Sequence, residues 1–162
     1  MFYMKQERVR ELNHIYEASF NQLDEVVQVV NQHWEELSGR PMAKLEEKDR
    51  SYWEEVHRKG RLILYRADNH ELGAFLSLFK VEKKVVIDVF FIVPDYREQG
   101  IGLKMLRVAE RLAVNWSAEQ ISWLFYSRED IENQFPVFQH LGYVLHCPMD
   151  QKGLVLLEKK LG

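Results

Sequence analysis

"IVPDYREQGIGLKML" (residues 92–106) is the stretch that decides the fold. It stands between a greasy run, "VVIDVFFIV" (85–93), and an amphipathic one. Pro94 bars the first run from continuing as a ladder-bonded strand. Met105, Leu106, Ala109, Leu112, Ala113 and Trp116 then recur at the spacing of a helix that buries one stripe, predicting a helix to about residue 117. Between the two runs lie Arg97 and two glycines, Gly100 and Gly102, with one residue between them. One glycine suffices for a turn. Two of them at the mouth of a helix point to something that must approach the main chain closely.

Reading outward, "RLILYRA" (61–67), "LGAFLSLF" (72–79) and "VVIDVFFIV" are rich in branched and aromatic residues and are joined by the short polar turns "DNHE" and "EKK". Three consecutive strands with tight connections predict an antiparallel meander. Beyond the helix, "ISWLFYS" (121–127) is a buried-type strand, so 85–93 and 121–127 form a strand–helix–strand crossover and are expected to be parallel neighbours. "DIENQFPVFQHL" reads as a further helix, interrupted or entered at Pro136, and "GYVLHCPM" and "GLVLLEKKL" as closing strands joined by a turn at Asp150–Gly153. Upstream, "NHIYEASF" is a candidate first strand. Leu23, Val26, Val27, Val30, Trp34 and Leu37 predict one helix over 21–38, with Asn21 as N-cap and Gly39 and Pro41 beyond its end. Tyr52, Trp53 and Val56 share one side of a helix over about 45–58 that Gly60 stops; Trp34 and Trp53 read as packing. The order is β-α-α-β-β-β-α-β-α-β-β. It predicts an α/β (α+β) fold with one mixed, mostly antiparallel sheet of six to seven strands, a central crossover and helices on both faces.

The length of 162 residues suits one domain, 1–162, with a real core. At 46% hydrophobic and 29% charged residues the composition is that of a soluble globular protein. A net charge of -3 without single-sign blocks gives no basic field for nucleic acid. The single cysteine, Cys147, reads as a core residue of a late strand; it cannot form an intramolecular disulfide and argues against a cysteine metal site. "MFYMKQERVR" is not a signal peptide, and no apolar run approaches membrane-spanning length. The expected compartment is cytoplasmic, with no metal and no membrane partner.

The first turn of a helix leaves several N–H groups without partners, at the positive end of its dipole. Such an end holds phosphate where no side chain blocks the way, and Gly100 and Gly102 remove two side chains there. Arg97 adds charge beside it. Nucleotide motifs fit poorly: the third glycine of a dinucleotide fingerprint is missing, and no G-x-x-x-x-G-K-[ST] is present.

The pattern V-x-P-x-x-R-x-x-G-x-G resembles the acetyl-CoA signature of the GNAT N-acetyltransferases, [QR]-x-x-G-x-[GA], met here by Arg97, Gly100 and Gly102. The element order extends the resemblance over nearly the whole chain. "HWEELSGRP" and "LGY…LEKKL" look like the compact members carried by phages and prophages. The resemblance implies that the main chain of Arg97, Glu98, Gln99, Gly100, Ile101, Gly102 and Leu103 wraps the pyrophosphate of coenzyme A. It implies that Phe91, Ile92 and Val93 pair with the pantetheine arm like another strand. It further implies acetyl transfer to an amine carried by a small molecule or a protein, by direct attack, with the amide of Ile92 or Val93 as oxyanion donor. The rival reading is a GNAT-shaped module that holds acetyl-CoA or a protein partner without turnover. A homodimer is compatible with either, although no apolar stripe demands one.

For the base, Asp88 interrupts an otherwise apolar strand, either as a functional carboxylate or as an ordinary solvent-facing or paired residue. The resemblance places the first helix beside the acceptor groove, which makes His33 and Glu36, with Glu35, candidates for binding substrate. The family's usual proton donor, a tyrosine four residues before a Gly-aromatic pair, is missing: the pair is Gly142-Tyr143 and Phe138 stands at the tyrosine's place. Asn133 is two residues out of register with the family's asparagine. Tyr126 and His140 are the substitutes.

Overall fold

The computed structural model describes residues 14–38, 49–125, 138–146 and 155–162. Among these residues seven strands form a single sheet: β1 (Ile15–Glu17), β2 (Arg61–Arg66), β3 (Leu72–Val81), β4 (Lys84–Ile92), β5 (Gln120–Phe125), β6 (Val144–His146) and β7 (Val155–Lys160), in the spatial order β1-β2-β3-β4-β5-β7-β6. Among the described strands only β4 and β5 run parallel; every other pair is antiparallel. The meander, the crossover and the mixed sheet expected from the sequence are therefore present. The helices are α1 (Leu23–Gln32), α2 (Trp34–Ser38), α3 (Ser51–Lys59) and α4 (Ile101–Asn115), with a helical turn at 138–140.

Alternation along the strands gives each face its own core. Leu62 and Leu64 of β2, Phe75 of β3, and Val89 and Phe91 of β4 pack with Leu23, Val26, Val30, Tyr52, Trp53 and Val56 of α1 and α3. Ile63, Leu76, Leu78, Val85, Ile87 and Phe90 face the other way, onto Met105, Leu106, Ala109 and Ala113 of α4. Trp53 is fully buried and Trp34 packs against the same core, as their helical spacing implied. Tyr143 fastens the far end of α4 to the closing strands. Its hydroxyl donates to Glu110 at 2.9 Å and Lys159 reaches the same carboxylate at 3.1 Å. Burial, the charge of Glu110 and that hydrogen bond keep the phenol protonated.

Two expectations need correction. The helix over 21–38 is not continuous. It starts from a 3-10 turn at Phe20–Gln22 whose N-cap position is Ser19 rather than Asn21, and there the Gln22 side chain reaches back, its Oε1 accepting the Ser19 N–H at 2.9 Å. It then breaks at His33, whose φ of -117° and ψ of 25° leave the helical region, and α2 restarts one residue on. The second helix begins at Ser51, residues 39–48 lying outside the described residues. The helix expected over "DIENQFPVFQHL", the turn before β7, and Cys147 and Asn133 likewise fall largely or wholly outside them.

An ion pair ties α1 to β2. Both nitrogens of the Arg66 guanidinium fork bond the two carboxylate oxygens of Glu25, and Arg66 Nε donates to Tyr16 at 2.8 Å. The hydrogen bonds from Arg66 hold the Glu25 carboxyl below its usual 4.5, against the opposing effect of burial. A depressed carboxylate adds stability that is complete above its unfolded pKa and is lost as the pH falls through the folded one. Glu25→Gln should thus melt earlier than the wild type at neutral pH, and the gap between the two should close as the pH drops below 4.5. Thermal denaturation across that range checks it.

Candidate active site

The site begins with a slip in β4. Ser77 pairs with Val89, but Leu78 pairs with Ile87, so Asp88 has no partner in β3 and forms a bulge. The consequence is visible in the cores: Val85 and Ile87 face α4, whereas Val89 and Phe91 face α1 and α3. Without the bulge all four would share one face.

On its other edge β4 pairs with β5 from Lys84↔Gln120 to Ile87↔Trp123 and no further, while β4 itself runs on to Ile92 and β5, paired with β7 along its whole length, ends at Phe125. The two parallel strands thus part at the bulge and leave a wedge between their C-terminal ends. Main-chain groups of an antiparallel strand alternate in direction. The Val93 N–H donates to the Gly73 carbonyl at 2.8 Å, so Val93 and Phe91 turn their main chains toward β3. Phe90 and Ile92 turn theirs into the wedge. Of the three residues expected to pair with pantetheine, only Ile92 faces it, and of the two candidate oxyanion donors Val93 is already committed. Phe90, which sequence reasoning passed over, offers a second amide, nearer the point of divergence.

At the mouth of the wedge stands the quoted loop. Pro94–Tyr96 makes a 3-10 turn, and Glu98 and Gly100 both adopt left-handed backbone, with φ of 64° and 78°. Gly100 is the N-cap of α4 and no side chain caps the helix; the first ladder bond recorded there runs from the Lys104 N–H to the Gly100 carbonyl. A left-handed residue followed by a helical one turns successive N–H groups to one side, a concavity suited to an anion. Ile101, Gly102 and Leu103 supply those groups. Gly102 serves close approach: a Cβ there would lie 3.3 Å from Ile92 Cδ1. Around Gly100 nothing lies within 4 Å of such a Cβ, so its role is conformational. Tyr96 pins the loop to the β2–β3 turn by donating to Glu71 at 2.7 Å, and the Gln99 amide donates to the Asp95 carbonyl at 3.1 Å.

The loop can accommodate a diphosphate through its main chain: Arg97 to Gly100 are exposed, and the helix start behind them is uncapped and free of acidic residues in its first turn. Arg97 does not simply point its charge there. Its Nε donates to the Ile92 carbonyl at 2.8 Å and its Nη2 pairs with Glu36 at 2.5 Å, with the guanidinium 5.5 Å from the Phe91 ring. His33 lies against the same ring, 5.4 Å between centroids. His33, Glu36, Phe91 and Arg97 therefore meet on one side of the loop, joining the end of α1 and the start of α2 to the strand end.

Asp88 is half-buried on the face of α3, where its Oδ2 accepts the Tyr52 hydroxyl at 2.5 Å. Tyr52 also bonds Ser77 Oγ at 2.8 Å, and that oxygen accepts the Val89 N–H at 3.0 Å. Burial, then the charge of Asp88 and the bond to it, push the Tyr52 phenol far up, so it stays a donor. Sequence reasoning saw Tyr52 only as packing; a hydroxyl on the buried side of a helix was the available signal. Phe138 is buried, its ring 4.8 Å from Trp123 and 5.4 Å from Tyr143, and it has no proton to give. His140 is exposed, and Tyr126 lies outside the described residues.

Residues 23–143 match the acetyltransferase (GNAT) family. Among curated proteins no match was found. Solved structures share the fold. A GNAT-family acetyltransferase from Staphylococcus aureus superposes with a TM-score of 0.70 at 13% identity, covering 91% of this chain and 98% of that one. The PaiA N-acetyltransferase from Thermoplasma acidophilum, in complex with coenzyme A, gives 0.66 at 15%, covering 90% and 97%. The ribosomal-protein-S18-alanine N-acetyltransferase from Escherichia coli gives 0.69 at 10%, covering 91% and 93%.

Proposed function

We propose that this chain, which belongs to the acetyltransferase (GNAT) family, moves the acetyl group of acetyl-CoA to a primary amine by direct attack, in the cytoplasm. The observation that carries the reading is the wedge between β4 and β5 with an uncapped helix start at its mouth. The thioester supplies an activated acetyl group. The main chain from Arg97 to Leu103 holds the diphosphate, and Ile92 lines the arm that enters the wedge. As the amine nitrogen bonds the carbonyl carbon, negative charge grows on its oxygen, and the Phe90 or Ile92 amide donates to it. The carbon–sulfur bond then breaks, the nitrogen gives its second proton to solvent or to the departing thiolate, and the acetyl group stays on nitrogen as a neutral amide.

An amine of the lysine type has a pKa of about 10.4 and must lose a proton first. Asp88 takes it, directly or through a water, and His33 and Glu36 line the approach of the acceptor. The thiol leaving group has a pKa near 8.5 and can depart as thiolate without an acid. This suits Phe138 at the place where a tyrosine would stand; Tyr126 is the remaining candidate donor.

Phe138 also favours a second reading, a module that binds acetyl-CoA or a protein without turnover. Release of free thiol from acetyl-CoA, followed over a panel of small amines, polyamines and amine-bearing peptides, separates the two. Turnover with at least one acceptor, well above thioester hydrolysis, is the expected result. Tight binding of coenzyme A with no acetylated product from any amine would establish the module instead.

A further inference from the structure

Ser77 lies in the middle of β3, is fully buried, and lies among apolar neighbours where a hydroxyl needs a reason. It bonds two groups, each belonging to the β4 bulge or to what holds it. One is the N–H of Val89, the first residue after the bulge, at 3.0 Å. The other is the Tyr52 hydroxyl at 2.8 Å, which itself donates a hydrogen bond to Asp88, the bulged residue. The chain of contacts runs from α3 through β3 to both residues at which the register slips. Among the described residues Ser122 is the other buried polar one, and it bonds Glu158 in the far half of the sheet, away from the bulge.

We propose that Ser77, with Tyr52, is a positioning residue: it fixes the register slip at Asp88 and so keeps the amides of Phe90 and Ile92 turned into the wedge. Loss of the bulge would slip the pairing beyond it by one residue, exchange the directions of successive main-chain groups and rotate those amides toward β3. Ser77 touches no reacting atom; it acts through the backbone of β4. The proposal rests on the acetyltransferase reading for its effect on rate, but its effect on the bulge can be read without turnover.

Two variants test it, Ser77→Ala and Ser77→Cys, the second keeping the volume filled while its sulfur accepts hydrogen bonds poorly. Amide exchange followed by NMR should show the Val89 N–H exchanging about tenfold faster or more in both variants, with the Ile87 amide unchanged. In steady state kcat should fall about 10- to 100-fold, the scale of a misaimed donor rather than a lost one. Affinity for coenzyme A, measured by calorimetry, should stay within about twofold, because the diphosphate is held by α4. Unchanged Val89 exchange, or unchanged kcat alongside faster exchange, overturns the proposal. So does a parallel loss of kcat, coenzyme A affinity and melting temperature in both variants, which would make Ser77 an ordinary core residue. If the wild type acetylates no amine, the functional reading fails by itself, and Val89 exchange alone then upholds or overturns the bulge role.

Discussion

Gly102→Glu should lower the affinity for coenzyme A by at least ~100-fold, about 2.7 kcal/mol, while the protein melts no earlier than the wild type. The two halves of that result come from the same geometry. A Cβ on Gly102 would sit 3.3 Å from Ile92 Cδ1, so the neighbour must yield by a few tenths of an ångström, at the strand end proposed to line the arm of the ligand. The longer side chain then sets a carboxylate in the first turn of α4, in the space the diphosphate needs, and anion repels anion. For the free protein the same carboxylate is favourable. It stands at the positive end of a helix that has no acidic residue in its first turn, worth about 0.3–1 kcal/mol, and it replaces a glycine that costs up to about 1 kcal/mol inside a helix. Gly102→Ala separates bulk from charge and should lose much less affinity. Gly100→Glu should also abolish binding, but with some loss of stability, because φ at residue 100 is 78° and a side chain strains that conformation. Calorimetry with coenzyme A and thermal melting read both quantities. Unchanged affinity in Gly102→Glu would mean that the helix start is not the phosphate site.

The turn and helix start from Pro94 to Gly102 were legible because their signals are local. Pro94, Gly100 and Gly102 each impose a backbone restriction on themselves or a neighbour, and the hydrophobic period changes across them. The bulge was not legible. "VVIDVFFIV" read with a period of two puts Val85, Ile87, Val89 and Phe91 together; the phase reverses at Asp88 only because β3 and α3 bring Ser77 and Tyr52 to it. Those partners are 11 and 36 residues away in the chain, beyond the reach of any pattern. Asp88 stood out as a lone carboxylate in a greasy strand, yet its pairing with a phenol needed the tertiary structure. Arg97 was read as a charge for the phosphate, and the structure directs it to Glu36 and a carbonyl. The choice between the Ile92 and Val93 amides turned on Gly73, a residue in another strand. Chain-local restrictions survive in a sequence; the direction of a peptide group inside a sheet is set by its neighbours.

Asp88→Asn should reduce kcat about 10²- to 10⁴-fold, the usual worth of a positioned base, with little change in coenzyme A affinity or melting temperature. Asparagine has the same shape, and its carbonyl oxygen can still accept the Tyr52 hydroxyl that Asp88 Oδ2 accepts now, so the bulge keeps its support. What is lost is the ability to take a proton. The defect should therefore depend on pH in one direction. As the pH climbs toward the amine's own pKa, about 10.4 for a lysine-type acceptor, more of the acceptor arrives neutral and needs no base, and the variant should recover toward the wild-type rate. Tyr52→Phe serves as the contrast: it removes the donor to Asp88 but leaves the carboxylate, so its rate should show no selective recovery at high pH. A rate for Asp88→Asn equal to the wild type at every pH would leave Asp88 with the sole task of receiving Tyr52. The base would then have to be sought across the loop, at His33 beside Phe91 or at Glu36 beside Arg97, where a carboxylate released from its arginine would face the incoming amine.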